Sequence, residues 1–159
     1  MDNREGSSTG AKTVYVVKAA VVWDGKVLVL HPCTRSHHEE HDRIDLPGGK
    51  IRYGEGPMEA LTREVREETG LLVEPVAPVR LWSFVRSDGL HFIGATVVCT
   101  TQSGAVRLSD EHEGYAWVPS TGIAAAWPVH DELHAALEVL ARSNGMPTAA
   151  RSSQARSTR

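Results

Sequence analysis

Three carboxylates, Glu64, Glu67 and Glu68, stand close together near the end of one predicted helix. Pro57 suits the first helical position and Gly70 suits the residue just past the last turn, so the helix is expected over 57–69. At about 100° per residue the three carboxylates lie on one arc. The helix dipole disfavours negative charge in the last turn, and Glu64 and Glu68 are like charges at i, i+4. A cation is therefore expected beside them.

The turns before the helix indicate which cation this is. A Pro-Gly-Gly turn at 47–49 and a second glycine turn around Glu55 precede the helix. Hard divalent cations such as Mg²⁺ or Mn²⁺ prefer carboxylate oxygen and bridge to the phosphates of a substrate. The alternative is a solvated acidic face that Arg63 and Arg66 neutralise. The carboxylates lie at the C-terminal end of the helix, where its dipole disfavours negative charge, and they lie beside glycine turns. Both features favour a metal-diphosphate site.

The segment 46–71 resembles the signature of the Nudix hydrolases. That signature is a glycine, five residues, a glutamate, seven residues, and then Arg-Glu-apolar-x-Glu-Glu-x-Gly-apolar. The resemblance implies an enzyme that cleaves a nucleoside diphosphate linked to another moiety, with help from a divalent metal. Every position of the signature is filled, by Gly49, Glu55, Arg63, Glu64, Val65, Glu67, Glu68, Gly70 and Leu71.

The resemblance also implies roles for individual residues. The Mg²⁺ ligands, with Mn²⁺ as the alternative ion, would be the carbonyl of Gly49 and the carboxylates of Glu64, Glu67 and Glu68. The general base is drawn either from the signature, as Glu67, or from a later loop. In that loop Glu111 is favoured as outer ligand or base and Glu113 is the runner-up; both are otherwise ordinary solvated acids.

Substrate contacts are less specified than the metal ligands. By resemblance, Arg63 would brace Glu55 and so hold the loop against the helix, and Lys50 would meet a phosphate oxygen. Arg43 is a further candidate for a phosphate, and Trp127 either stacks on a base or anchors the last helix. Members that remove oxidised guanine triphosphates place an asparagine before a Pro-Val pair, whereas residues 126–127 are Ala-Trp here. The base-reading amide is missing.

The flanking pattern predicts an α/β (α+β) fold, a mixed β-sheet between helices, similar to the Nudix α/β/α sandwich. An Asp-Gly turn at 24–25 joins two apolar runs and is a strong hairpin signal. The aromatic residues Trp82, Phe84 and Phe92 alternate along two strands, which favours a core role over a base-stacking platform. The predicted strands are 14–23, 26–31, 72–86, 90–101 and 115–118, and a second helix is expected over 131–141.

Length and composition favour one domain. The chain has 159 residues, 41% of them hydrophobic, and we expect a leader over 1–12, the Nudix domain over 13–142 and a basic tail over 143–159, with both ends disordered. The His-rich segment 31–42 is interpreted as a solvated loop, with a mobile lid as the second interpretation and a metal site as the least favoured.

The same data argue against several partners and locations. A formal charge of −3 without a basic stripe argues against polymeric nucleic acid, and no apolar run approaches a membrane span. Cys33 and Cys99 are expected to be reduced thiols, with a disulfide between them as the alternative, and the predicted location is cytoplasmic. A homodimer is compatible with the resemblance. Three alternatives remain open: an ADP-ribose or nucleotide-sugar hydrolase, a prenyl diphosphate hydrolase, and a non-catalytic nucleotide-sensing module.

Overall fold

The computed structural model describes residues 12–32 and 44–119. The predicted leader, most of the His-rich segment, Arg43, Trp127, the helix over 131–141 and the basic tail lie outside the described residues. The limits of the domain therefore stay a prediction. No helix in the described part of the chain has the length and apolar character that a membrane span needs.

The described elements form a mixed five-stranded sheet with one helix, as predicted. The strand order is β3-β4-β1-β2-β5; β1 and β4 are parallel and the other neighbours are antiparallel. The turn at Asp24 and Gly25 has positive φ at both residues, which is the backbone that a two-residue hairpin requires. The elements are β1 (Thr13–Trp23), β2 (Lys26–Pro32), α1 (Pro57–Thr69), β3 (Val73–Val85), β4 (His91–Thr101) and β5 (His112–Pro119).

The glycine-rich loop is inserted between β1 and β2. These strands pair only beside their turn, at Val22 with Val27 and Trp23 with Lys26. Farther along, the amides of Val17 and Ala19 donate to the loop carbonyls of residues 49 and 47, at 3.0 and 2.8 Å. On the other side, residues 30 and 45 exchange two backbone hydrogen bonds of 2.8 and 3.0 Å. The loop is therefore held by backbone on both sides before any side chain contributes.

Helix α1 has the predicted bounds and packs on one face of the sheet. Gly70 follows it with φ 70°, the left-handed conformation that ends many helices. Helical spacing predicts one buried apolar stripe of Met58, Leu61 and Val65. Leu61 and Val65 are buried, but Met58 is 42% exposed and Ala60 is buried instead. The prediction is therefore wrong for Met58, because the helix enters the core only after its first turn. The opposite face of the sheet carries a second core cluster that includes Ala20, Leu46 and Val98.

Candidate active site

Arg63 in α1 is the centre of a group that we call the outer cluster: Arg63, Glu55, Glu64, Glu67 and the backbone carbonyl of Lys50. Its guanidinium donates two hydrogen bonds to the Glu55 carboxylate, at 2.6 Å from Nε and 2.9 Å from Nη2. Nη1 donates to Glu64 at 2.6 Å and to Glu67 at 3.2 Å. Nη2 also donates to the Lys50 carbonyl at 3.2 Å. One cation thus ties the second glycine turn to the acidic arc of the helix.

Hydrogen bonds within the outer cluster shift the pKa values of Glu55 and Arg63. The hydrogen bonds from Arg63, with a third from the Arg52 amide, lower the pKa of Glu55 to about 2. The same bonds raise the pKa of the Arg63 guanidinium above its ordinary value. Glu55 is therefore a permanently charged anchor near neutral pH, which suits a brace and excludes it as a proton acceptor there.

Lys18 in β1 is the centre of a second group, the inner cluster: Lys18, Asp45, Glu68 and the backbone of Leu46 and Gly48. The ammonium donates to the Asp45 carboxylate at 2.6 Å, to the Leu46 carbonyl at 3.2 Å and to the Gly48 carbonyl at 3.1 Å. The Gly48 amide in turn donates to Glu68 Oε2 at 2.8 Å. The chain of contacts therefore runs from the centre of β1 through the glycine turn to the end of α1.

Burial governs the electrostatics of the inner cluster. Burial raises the pKa of Glu68 to about 7, although Lys18 and the Gly48 amide both oppose that rise. Burial alone lowers the pKa of Lys18, but attraction to Asp45 and Glu68 outweighs it and the net direction is upward. The lysine therefore stays charged inside the fold.

Two glycines are required where the loop meets its neighbours. A Cβ on Gly48, which has φ +132°, would lie 2.2 Å from the carbonyl oxygen of Val17. A Cβ on Gly49 would lie 2.6 Å from the carboxylate carbon of Glu64. The loop backbone is thus pressed against both β1 and the acidic helix, and no other residue type leaves this approach open.

The later loop places His112 beside a carboxylate of the helix. His112 Nε2 lies 3.9 Å from Glu68 Oε1, and burial lowers the pKa of His112. Glu111 and Glu113 are both exposed. The role of Glu111 as outer ligand or base stays a prediction, as does that of Glu113.

Three aromatic rings form a row on the sheet face that carries Lys18. The Trp82 and Phe84 rings lie 5.9 Å apart and the Phe84 and Phe92 rings 5.2 Å apart, both stacked. The Trp82 indole donates to Thr96 Oγ1 at 3.2 Å, and Thr96 is the register partner of Lys18. Phe84 is 44% exposed, and none of the three rings is buried among the described residues. The core interpretation of these rings is therefore wrong for this part of the chain, because β3 is an edge strand.

A model of the NUDIX domain matches residues 14–137 of this chain. The chain belongs to the Nudix family. The nucleoside triphosphatase NudI of Escherichia coli O17:K52:H18 is 31% identical over 114 residues, which cover 64% of this chain and 75% of that protein. The 8-oxo-dGDP phosphatase NUDT18 of Mus musculus is 31% identical over 93 residues, which cover 56% of this chain but only 28% of that protein.

Solved structures agree with this membership. The MutT protein from Methanosarcina mazei Go1 superimposes with a TM-score of 0.75 at 26% identity, over 86% of this chain and 99% of that chain. The predicted family and fold class are confirmed, and the chain is a Nudix pyrophosphohydrolase. The glycine-to-leucine signature of residues 49–71 is called the Nudix box below.

The donor types of the Nudix box fit a hard divalent cation. They are carboxylate oxygens and the Gly49 carbonyl, whose second lone pair is free after the hydrogen bond from Val17. Yet within 12–32 and 44–119 no three His, Cys, Asp or Glu side chains are grouped to hold a metal. Arg63 draws Glu64 and Glu67 to itself while Glu68 points at Gly48. Arg63 contacts one oxygen of each, Glu64 Oε1 and Glu67 Oε2, so an ion bound through the second oxygen would leave both hydrogen bonds in place.

Sequence reasoning placed some residues of the site and missed others. The hydrogen bond from Arg63 to Glu55 agrees with the bracing role that the family resemblance implied. The Lys50 side chain is exposed, so a ligand can reach it. Lys18, Asp45 and His112 were missed. One signal was available, since Lys18 is the only charged residue in the apolar run over 14–23.

Proposed function

We propose that this Nudix hydrolase cleaves the pyrophosphate link of nucleoside triphosphates or related nucleoside diphosphate compounds, with Mg²⁺ as the ion and Mn²⁺ able to replace it. One observation carries the proposal: the carboxylates of Glu64 and Glu68 lie against the backbone of the glycine turn, and Arg63 joins Glu67 to Glu64. The name of NudI as a nucleoside triphosphatase supports the nucleotide class.

Glu64, Glu67 and Glu68, with the Gly49 carbonyl, would hold the ion. When bound, such an ion polarises phosphoryl oxygen and lowers the pKa of water. The protein's own part is to fix the ligands: the Gly48 amide orients Glu68 and Arg63 orients Glu64. Glu67 is 51% exposed. That places it where solvent water reaches it, as a general base requires.

Two surfaces support a nucleotide as the substrate. An open groove of about 970 Å³ runs along the outer cluster, and its lining includes Arg52 and Arg66, which would meet phosphate oxygens. The aromatic row offers flat rings for a nucleobase. Lys50, Arg43 and Trp127 are further proposed substrate contacts. We also expect a cytoplasmic protein, and light scattering tests whether the protein forms a homodimer.

Other diphosphates remain as test substrates. They are ADP-ribose, nucleotide sugars and prenyl diphosphates, and the likeness to NUDT18 adds 8-oxo-dGDP. No asparagine precedes the Pro-Val pair at 128–129, so we expect no preference for the oxidised base. A nucleotide-sensing module would bind nucleotides without turnover.

The test is a hydrolysis panel of these compounds with Mg²⁺ in ¹⁸O-labelled water, with product identification by ³¹P NMR. We expect a nucleoside monophosphate and pyrophosphate, or two monophosphate products, and no turnover in EDTA. Glu64→Gln should reduce kcat by about 100-fold or more, since an ion supplies several kcal/mol to the transition state. Glu74→Gln, on exposed β3, is the matched control and should keep wild-type kcat.

Two results would contradict the proposal. Hydrolysis of prenyl diphosphate alone would exclude a nucleotide substrate. Nucleotide binding without turnover of any compound in the panel would favour the sensing module.

A further inference from the structure

Lys18 is a charged residue in the middle of β1, and the proposed function assigns it no role. Its neighbours on the same face of the strand, Val16 and Ala20, are buried. A buried ammonium is stable only when hydrogen bonds and an opposite charge compensate its lost hydration. All three of its hydrogen bonds go to residues 45–48, the start of the glycine turn, and Glu68 adds a further attraction.

The hydrogen-bond count excludes a direct role of Lys18 on substrate. A lysine ammonium has three N–H donors and no acceptor. The three donors are used by the Asp45 carboxylate and the carbonyls of Leu46 and Gly48. No donor remains for a phosphate, so any influence on the reaction passes through the turn.

The turn it holds carries the groups that face the acidic helix. The Gly48 amide donates to Glu68, and the Cα of Gly49 lies against the Glu64 carboxylate so closely that a Cβ would not fit. A displacement of this turn by a few tenths of an ångström would therefore move the contacts of both glutamates. Outer-shell groups that orient metal ligands are commonly worth about 10- to 100-fold in metal affinity or activity.

We propose that Lys18, paired with Asp45, is a positioning residue of the hydrolytic site: it sets the glycine turn against Glu64 and Glu68 and thereby their geometry as ligands. The inference rests on the proposed function, because it needs those glutamates to bind a divalent ion. Lys18 acts through the turn and touches neither substrate nor ion.

The test measures Mn²⁺ binding to the full chain by the EPR signal of free Mn²⁺, together with steady-state kinetics. Lys18→Met should raise the Mn²⁺ dissociation constant by about 10- to 100-fold and lower kcat, with the KM for nucleotide unchanged within about twofold. Asp45→Asn should act in the same direction. The double variant should lose less Mn²⁺ binding free energy than the sum of the two single losses, because the pair acts as one unit.

Two controls separate positioning from general stability. Lys26→Met makes the same change at an exposed lysine of β2 and should keep the wild-type Mn²⁺ affinity. Val98→Ala opens the core cluster that contains Leu46; it should lower Tm and also keep the Mn²⁺ affinity. If Lys18→Met does not fold, Asp45→Asn carries the test, since its side chain is 38% exposed and an amide oxygen still accepts the Leu46 N–H.

Three outcomes would overturn the proposal. Wild-type Mn²⁺ affinity in folded Lys18→Met and Asp45→Asn would make the pair purely structural. A rise in KM alone would make Lys18 a substrate contact. A wild-type protein that neither binds Mn²⁺ nor hydrolyses any compound of the panel would overturn the proposed function as well, whereas the first two outcomes leave it intact.

Discussion

The outer and inner clusters each place one cation among carboxylates, but they shift the ionisation of those carboxylates in opposite directions. The side chains of Glu55 and Glu68 are almost equally exposed, at 15% and 11%. Arg63 lowers the pKa of Glu55 to about 2, whereas burial raises that of Glu68 to about 7. Glu55 accepts two charged hydrogen bonds, and Glu68 accepts one bond from a neutral amide. At Glu55 the hydrogen bonds from Arg63 outweigh the effect of burial on the pKa, whereas at Glu68 burial outweighs both the Gly48 amide and the attraction of Lys18.

The clusters also differ in what they hold. The outer cluster orients side chains at the rim of an open groove, and the inner cluster orients backbone inside the fold. We therefore expect changes to the inner turn to affect stability and activity together, and changes to the outer cluster to affect mainly activity. The predictions below test this difference.

The largest effect is expected from alanine at the inner glycine. Gly48→Ala would force a Cβ to 2.2 Å from the Val17 carbonyl at φ +132°, and we expect a loss of roughly 2–6 kcal/mol in unfolding free energy with loss of activity. Gly54→Ala in the outer turn has φ +79° but open space, so it should lose only about 1–2 kcal/mol. Urea unfolding measures both. Equal losses would remove the distinction between the two turns.

A smaller effect is expected from loss of the outer cation. Arg63→Ala leaves Glu55 and Glu64 without their common donor, and we expect kcat to fall by about 10- to 100-fold. Arg107→Ala changes the same residue type at an exposed position outside the groove and should stay within about twofold of wild type. A Tm loss in Arg63→Ala as large as that in Gly48→Ala would contradict a mainly functional outer cluster.

The smallest effect is a pH dependence of stability. Because the folded pKa of Glu55 lies below its unfolded value of about 4.5, its charge stabilises the fold above that value, and the contribution is lost as pH falls towards about 2. Glu55→Gln should therefore be less stable than wild type at pH 6, with a difference that shrinks by pH 2.5. Glu74→Gln is the control. A difference that is constant with pH would mean that Arg63 does not perturb Glu55.

Much of the fold could be predicted because its signals are local. Pro57 and Gly70 mark both ends of α1, and the Asp-Gly turn at 24–25 marks the first hairpin. The outer cluster is almost as local, since Arg63 lies one, four and eight residues from its three carboxylates. Helical periodicity and the Nudix box are sufficient to bring these residues together.

The inner cluster could not be predicted in this way. The three acceptors of Lys18 lie 27 to 30 residues along the chain, and no periodicity relates a strand residue to a loop at that distance. Their meeting depends on the loop entering the space between β1 and β2, which is a property of the assembled sheet. The sequence by itself therefore determined the family, the helix and the acidic residues. Only the tertiary structure decided what holds the glycine turn against them, because non-local backbone pairing places Lys18 under that turn.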